Sequence, residues 1–423
     1  MTARIKEQIT LWRVIVAIIL VTGLYATYIR FFEGFRASTN LSDQMPWGLW
    51  VGLGTLCGIG LSAAGFGISA AVYLLGMERY RPILRASILI SFLGYCAVMV
   101  GYLYEIGLPW RFWHPIVMWN SRSVLFDVCV CIMTYFMVLM FEFAPAVIEK
   151  LPWKGLRESI LHQHHRILIG VVLAGVLLSS MHQSFLGGLY LIAEGKVHPL
   201  WYSSYMHAIF YLSAIPAGLA LTVMAIYLCM RSLNVRVDFS ILTDCGRMIQ
   251  MLLIVFVFFR LLDLVANHAL HYAFQLTPEA GYFWLEAGLF LVLPILLLSC
   301  EGIRSHPDRL YWTCAAVVAG FIVNRLNVSI NALQTAMGAH YVPKWTELAS
   351  SVLVIAAAVM AFRYAVIYLN ILPKTKSVPP AGWIDNSGLP CRRRSKRLHL
   401  LAAGLSPCFR LHHKHLNTRG RTL

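Results

Sequence analysis

Apolar runs of about 20 residues or more recur along almost the whole chain, and they constrain its fold more than any other feature. A run of that length crosses a bilayer core of about 30 Å as an α-helix, because a helix rises about 1.5 Å per residue. Only 13% of the residues are charged, about half the share found in soluble domains. The sequence therefore predicts an all-α polytopic membrane protein and excludes a water-soluble one.

Hydropathy and length predict about ten transmembrane helices in one membrane domain, 1–373. No small-residue cleavage site follows the first apolar run, so this run is interpreted as a retained span and not as a signal peptide. Beyond the domain, 374–423 holds a Pro-Pro step and basic clusters, and we expect a disordered basic cytoplasmic tail there. The predicted spans cover 11–30, 47–76, 86–106, 122–142, 165–192, 203–230, 241–267, 281–300, 310–330 and 347–369.

Predicted loops with many Lys and Arg residues alternate along the chain with loops that have few, so one side of the membrane is rich in basic residues and the other is poor in them. Loops rich in Lys and Arg stay on the cytoplasmic side, so both termini are predicted to be cytoplasmic. These loops and the tail account for the formal charge of +16, which does not indicate nucleic-acid binding. The poor side holds Arg36, Arg111, Arg122, Lys196 and Lys344.

The loops on the predicted outer side mix Trp, Tyr or Phe with His and Pro. Two interpretations remain open at this point. The aromatic residues can form the belt that membrane proteins place at the lipid–water interface. They can also form a docking platform for an outer partner, above an amphipathic ligand. The loops read LPWRFWHPIVMWN, EGKVHPLWYSSY, NHALHYAFQLTPEAGY and AHYVPKWTE.

The cysteines and histidines do not have the spacing of a metal or haem site. None of the ten cysteines forms a CxxC pair, so we expect no iron–sulfur cluster and no metal site in this chain. The candidate haem ligands at membrane depth are His182, His207 near the start of the sixth span and His268 at the end of the seventh, and no span has the paired histidines of a two-haem core. This pattern disfavours haem b and favours histidines that form interhelical hydrogen bonds.

The fourth predicted span carries an acid near each end, Asp127 and Glu142. They are about 15 residues apart, or roughly 22 Å along a helix. Acids at membrane depth are costly, so a functional role is the default hypothesis. Helical spacing predicts a mostly polar face between them that includes Cys131, Thr134, Tyr135 and Val138.

Several other spans bring ionisable residues to a similar depth near the predicted outer face. Buried charges must pair or line a wet cavity, so the cluster suggests a pocket that binds the carbonyl or hydroxyl groups of a small ligand. Structural roles also remain open: an Arg–Asp ion pair, an interhelical hydrogen bond from the histidine, and an arginine that snorkels to the interface. The cluster contains Asp127, His182, Arg260, Asp263, Glu286 and Arg325.

Short stretches from about residue 45 to residue 373 form a combination that is specific, although no single stretch is. The stretches are MPWGLWVG, YRPILRASILISFLGY, SVLFDVCVC, FEFAPAVIEK, MHQSFLGGL, KVHPLWYS, FWLEAGLFLVLP, VPKWTEL and ILP. In order and spacing they resemble the HybB-type membrane subunit of respiratory nickel–iron hydrogenases, within the wider NrfD and polysulfide reductase membrane-subunit family.

The resemblance implies a fold of ten helices, with two four-helix bundles and flanking helices, in the bacterial inner membrane. It also implies a quinone site near the outer face. Asp127 of SVLFD and His182 of MHQS would bind or protonate the quinone. Glu142 of FEFAP would take up protons from the cytoplasm, through Thr134 and Tyr135. Relatives carry Glu in place of Asp127, so the acid is kept here but is one methylene shorter.

We therefore expect a quinone-reactive membrane anchor subunit of a respiratory oxidoreductase, in the first place a Ni/Fe hydrogenase. Its substrate would be menaquinone or ubiquinone, within a pocket shaped by Arg260, Asp263, Glu286 and Arg325. Its partners would be a periplasmic ferredoxin-like iron–sulfur subunit, the hydrogenase large and small subunits, and membrane lipid. One alternative is the same role for a molybdenum reductase or a multihaem cytochrome. Another is a proton-coupled secondary transporter, which the outer position of the cluster disfavours.

Overall fold

Ten helices that are long and apolar enough to cross a membrane make up most of the part of the chain that the structure describes. This computed structural model describes residues 11–193, 195–233 and 235–373, and no β-strand occurs among them. The predicted helix number and fold class are confirmed, while the predicted tail over 374–423 lies outside the described residues. We label the helices α1 to α10: Trp12–Glu33, Trp50–Leu74, Glu78–Glu105, Val124–Ile148, Lys154–Leu191, Met206–Ser232, Phe239–Ala266, Pro278–Ser299, Pro307–Met337 and Trp345–Tyr368.

Several helices extend beyond the spans predicted from hydropathy. α5 begins at Lys154 rather than at 165, and its 38 residues make it about 57 Å long, well above the thickness of a bilayer core. α4 continues past 142, through Pro145, and ends at Ile148. Hydropathy detects only the apolar part of a helix, whereas charged turns such as KGLRESILHQHHR continue the same backbone hydrogen bonds.

The helices form two four-membered rings of neighbours. In the first ring α2 contacts α3, α3 contacts α4, α4 contacts α5, and α5 returns to α2. In the second ring α6 contacts α7, α7 contacts α8, α8 contacts α9, and α9 returns to α6. The rings meet where α6 packs on α5 and α2, while α1 pairs with α10 at the side of α3. The expected two bundles with flanking helices are therefore confirmed.

Small residues bring the helix backbones close together, as the Gly- and Ala-rich composition of the second and fifth spans predicts. A Cβ on Gly218 of α6 would lie 2.7 Å from the backbone nitrogen of Ala64 in α2. One on Gly187 of α5 would lie 2.3 Å from the carbonyl oxygen of Met206 in α6. Both distances are shorter than any real Cβ contact, so a larger residue would force the two bundles apart.

The two ends of the bundles are named here after the loop-charge prediction. "Outer" is the end of the predicted periplasmic loops, where α4 begins. "Inner" is the opposite end, where α3 and α5 begin. At the inner end Arg85 of α3 donates to both carboxylate oxygens of Glu149, at 2.9 and 2.5 Å, and to the carbonyl oxygen of Asn370 at 3.0 Å. This ion pair ties α3, the end of α4 and the segment after α10 together.

The ion pair makes stability depend on pH at the inner end. The Arg85 guanidinium holds the pKa of Glu149 below its usual value, so the pair stabilises the fold at neutral pH and is lost as pH falls through that lowered pKa. We expect Glu149→Gln to reduce the free energy of unfolding at pH 7 by about 1 kcal/mol, because both side chains are partly exposed. Thermal unfolding in detergent should show the difference shrinking below about pH 4. Glu158→Gln, at an exposed position of α5, is the control, and an equal loss there would contradict the assignment.

Candidate functional site

The fourth helix presents a buried polar face to α3 and α5, but the face is narrower than predicted. Tyr135 is 1% exposed and Glu142 is 9% exposed, whereas Asp127 is half-buried in the first turn. Thr134 is exposed, and its hydroxyl donates to the carbonyl oxygen of Val130 at 2.8 Å. The expectation that Thr134 shares this face is therefore wrong. It lies at the edge of the polar stripe, about 100° from Tyr135, and points away from the bundle.

Glu142 lines a cavity of about 290 Å³ near the inner end of the first bundle. The cavity is bordered by both polar and apolar side chains of α2 to α5. Its polar lining consists of Tyr73, Arg81, Arg85, Glu142, Glu149, His164 and His165. The proton-uptake role of Glu142 stays a prediction, and the cavity is the space from which water could reach its carboxyl group.

Gly175 of α5 lies between Glu142 and Tyr135. A Cβ at this position would be 3.5 Å from Oε1 of Glu142, 3.8 Å from Cε2 of Tyr135 and 3.0 Å from Cγ1 of Val138. Side chains of Val138, Glu142 and Tyr135 therefore all border this position, and the methyl group of Val138 is the nearest to it. Glycine adds no side chain of its own there.

His182 is fully buried in the outer half of the same bundle, with 0% exposure. Its Nδ1 is 2.9 Å from the hydroxyl of Tyr95 in α3, and the ring of Tyr95 meets that of Tyr135 edge to face at 4.9 Å. Nε2 of His182 has no hydrogen-bond partner among the described residues. Three helices thus contribute to one buried aromatic group of Tyr95, Tyr135 and His182.

Asp127 and His182 occupy similar depths on neighbouring helices. One turn further inward, Sγ of Cys131 approaches the carbonyl oxygen of Leu178 at 3.5 Å, which aligns α4 with α5. No hydrogen bond or ion pair of the Asp127 carboxylate occurs within the described residues. Asp127 is therefore a half-exposed acid at the outer end, separate from the other charged residues predicted to surround it.

The remaining predicted pocket residues belong to the second bundle, where they hold an outer loop. Arg260 pairs with Asp263 at 3.0 Å and donates to the carbonyl oxygen of Leu200. Asp263 accepts from the hydroxyl of Ser203 and from Nδ2 of Asn267. The predicted pairing of Arg260 with Asp263 is confirmed, and the pair fixes both ends of 200–203.

Glu286 holds the middle of the same loop. Its carboxylate accepts from Nε1 of Trp201 at 2.9 Å, from Nδ2 of Asn324 at 2.7 Å and from Nδ2 of Asn327 at 2.8 Å. Three buried donors converge on this carboxylate, so its hydrogen-bonding capacity is satisfied by neutral protein groups.

Arg325 joins this network through Asn324, whose Oδ1 accepts from its Nη1 at 2.6 Å. Its guanidinium lies 3.9 Å from the ring centroid of Phe210 and 4.5 Å from that of Phe321, and the residue is 1% exposed. Snorkelling to the interface is therefore excluded. Arg260, Asp263, Glu286 and Arg325 form one connected network around 200–203.

Two functional candidates were not found from the sequence. Tyr95 gave no signal, because a tyrosine in an apolar span is common at a membrane interface. Glu105, at the outer end of α3, accepts from the hydroxyl of Thr55 at 2.8 Å. It is an acid at the end of a predicted span, and the argument used for Asp127 would have identified it.

The comparisons with known proteins agree with this architecture. Residues 37–337 match the family described as polysulphide reductase, NrfD. A protein of Nitratidesulfovibrio vulgaris is 34% identical over 378 residues, covering 87% of this chain and 96% of that protein. The probable Ni/Fe-hydrogenase 2 b-type cytochrome subunit of Escherichia coli is 30% identical, covering 82% and 88%. The menaquinone reductase integral membrane subunit of N. vulgaris is 26% identical, covering 87% and 93%. This chain therefore belongs to the NrfD family of membrane subunits.

Proposed function

We propose that the chain is the quinone-reactive membrane subunit of a respiratory oxidoreductase, and that it passes electrons between a redox partner subunit and membrane quinone. The observation that carries the proposal is the polar interior of the first bundle. It runs from Glu142 at the inner cavity, past Tyr135, to His182, with Asp127 at the outer end of the same helix pair. Relatives named as hydrogenase and menaquinone reductase membrane subunits support it.

The proposed partner is a Ni/Fe hydrogenase with a ferredoxin-like iron–sulfur subunit on the outer side. The E. coli relative named for such a hydrogenase supports this choice. Two other relatives, whose names assign them to a selenate reductase and to a dimethyl sulfoxide reductase, favour a molybdenum enzyme as the second candidate. Purification of the complex from native membranes, with identification of the attached subunits and of the extracted quinone, decides between them. Recovery of the chain without any redox subunit or quinone would contradict both.

Reduction of menaquinone or ubiquinone to the quinol consumes two electrons and two protons at the ring oxygens. Asp127 is the proposed acid at the headgroup, because it is half-exposed and its carboxylate is not engaged by protein. His182 is buried behind it, with Nδ1 held by Tyr95 and Nε2 available for a proton. Glu142 replenishes the protons from the inner cavity. Arg260, Asp263, Glu286 and Arg325 act at a distance, by keeping 200–203 in place above the helices.

Haem is not part of the proposed mechanism, although the E. coli relative is named a b-type cytochrome subunit. Axial ligation of a membrane b haem takes two histidines that face each other. Among the described residues, His182 bonds Tyr95 and His207 lies against Gly188. This arrangement does not fit a facing pair, so no step is assigned to a haem.

Glu142→Gln is expected to slow quinone reduction by about 100-fold, because an amide cannot deliver a proton. The dissociation constant of the quinone should remain unchanged, since Glu142 lies at the opposite end of the bundle. The measurement is steady-state quinone reduction by the purified complex, together with a quinone titration. Glu301→Gln, at an exposed inner position, is the matched control. A wild-type rate in Glu142→Gln would mean that protons take another route.

A further inference from the structure

Six buried polar atoms in the first bundle have no hydrogen-bond partner among the described residues, and four of them lie on facing parts of α4 and α5: Tyr135 Oη, Ser179 Oγ, His182 Nε2 and Gln183 Oε1. None of these residues is more than 1% exposed. Buried polar groups are almost always paired with protein or with ordered water. Four such atoms within two turns of one helix and its neighbour therefore need a common explanation.

The four side chains project into the interior of the first bundle from facing parts of α4 and α5. Ser179, His182 and Gln183 are spaced by three and four residues, so they lie on one face of α5. Tyr135 approaches that face from α4, close to Gly175, and its hydroxyl lies next to the hydroxyl of Ser179. Gln183 donates through Nε2 to the carbonyl oxygen of Ile59 at 2.9 Å. This bond fixes the amide, and its carbonyl oxygen stays available.

We infer that this space binds a small cluster of internal water molecules, and that Ser179 and Gln183 are the positioning residues that hold it. A buried water needs two to four polar partners, and these four atoms supply acceptors as well as donors. Oε1 of Gln183 accepts only, both hydroxyls donate or accept, and Nε2 of His182 does either. All four groups are uncharged, which suits water better than a metal cation.

The water cluster completes the route from Glu142 to His182, and in this respect the inference rests on the proposed function. Tyr135 and Glu142 are seven positions apart, about 10 Å along the helix, which is too far for one hydrogen bond. The side chain of Glu142 leans towards the start of α4, as helical side chains do, and reaches the level of Gly175. Water on the outer side of Gly175 would pass a proton from the carboxyl group of Glu142 to Nε2 of His182 by successive hydrogen bonds.

Tyr135→Phe and Ser179→Ala test the water cluster in the full complex. Each removes an oxygen that has no protein partner, so a purely structural role predicts unchanged or higher stability and a wild-type rate. We expect quinone reduction to slow at least about tenfold, with a larger solvent deuterium isotope effect and an unchanged quinone dissociation constant. Tyr364→Phe, on the lipid-facing side of α10, is the matched control. Wild-type rates and isotope effects in both variants would overturn the inference.

Infrared difference spectroscopy in H₂¹⁸O gives a readout that does not depend on quinone reduction. We expect an isotope-sensitive O–H stretching band of internal water in the wild type, and its loss in Tyr135→Phe and Ser179→Ala. Its absence from the wild type would overturn the water cluster. If the band is present but the complex does not react with quinone, the proposed function fails and the water site stands.

Discussion

Asp127→Asn is expected to lower quinone reduction by the intact complex by about two to three orders of magnitude. The amide keeps the size and the hydrogen-bonding geometry of the carboxyl group but cannot supply a proton to the quinone oxygen. Because Asp127 makes no hydrogen bond or ion pair with the described residues, the replacement leaves no protein partner unpaired. Folding and subunit assembly should therefore remain normal. The measurement is the rate of quinone reduction with the natural electron donor, with assembly checked by copurification.

Asp127→Glu is the conservative control for this prediction. It restores an acid with one additional methylene, and the half-exposed position leaves room for it. We expect Asp127→Glu to retain most of the activity. A fully active Asp127→Asn complex would remove Asp127 from the mechanism, and Glu105 of α3, beside Thr55, would become the next acid to replace.

Glu286→Ala is expected to prevent accumulation of the folded subunit. The side chains of Trp201, Asn324 and Asn327 would lose their common acceptor in the buried outer half of the second bundle. Each unsatisfied buried donor costs about 1–3 kcal/mol, against a total stability of about 5–15 kcal/mol for a typical protein. The measurement is the amount of protein in the membrane together with its unfolding temperature in detergent.

Two further variants make the assignment of Glu286 specific. Glu301→Ala, at the exposed inner end, should leave the yield unchanged. Glu286→Gln keeps one acceptor oxygen but turns an NH₂ group towards the donors, so an intermediate yield is expected. Normal yield and unfolding temperature in Glu286→Ala, combined with loss of quinone binding, would contradict the structural role and place the carboxylate in the quinone pocket.

The helix number and fold class followed from the sequence because the length of an apolar run is a local property. The helix ends did not follow from the sequence, because the first turns of α3 and α5 are charged and yet helical. The position of Glu142 on the inner half of α4 was also predictable from helical spacing. The same spacing predicts that Thr134 shares this face of α4. However, α3 and α5 cover only part of the face, and their packing depends on residues that are far away in the sequence.

The charged residues of the second bundle illustrate the same limit. Sequence spacing predicts that Arg260, Asp263 and Glu286 lie in the outer halves of their helices. Their partners are a backbone carbonyl, a serine and a tryptophan of 200–203, and sequence spacing does not connect that loop to α7 or α8. A ligand pocket and a hydrogen-bonded loop anchor therefore contain the same residue types. Only the contacts in the structure distinguish one kind of site from the other.

The placement of Glu142 and Asp127 at opposite ends of α4 has an energetic consequence for the cell. Roughly 22 Å of a bilayer core of about 30 Å separates the two acids, so a proton that moves outward between them crosses most of the membrane's electric field. At 100 mV, negative inside, that step costs roughly 1.7 kcal/mol per proton, as a share of the full 2.3 kcal/mol. Under the proposed mechanism each turnover adds to the membrane potential, and the turnover rate falls as that potential increases.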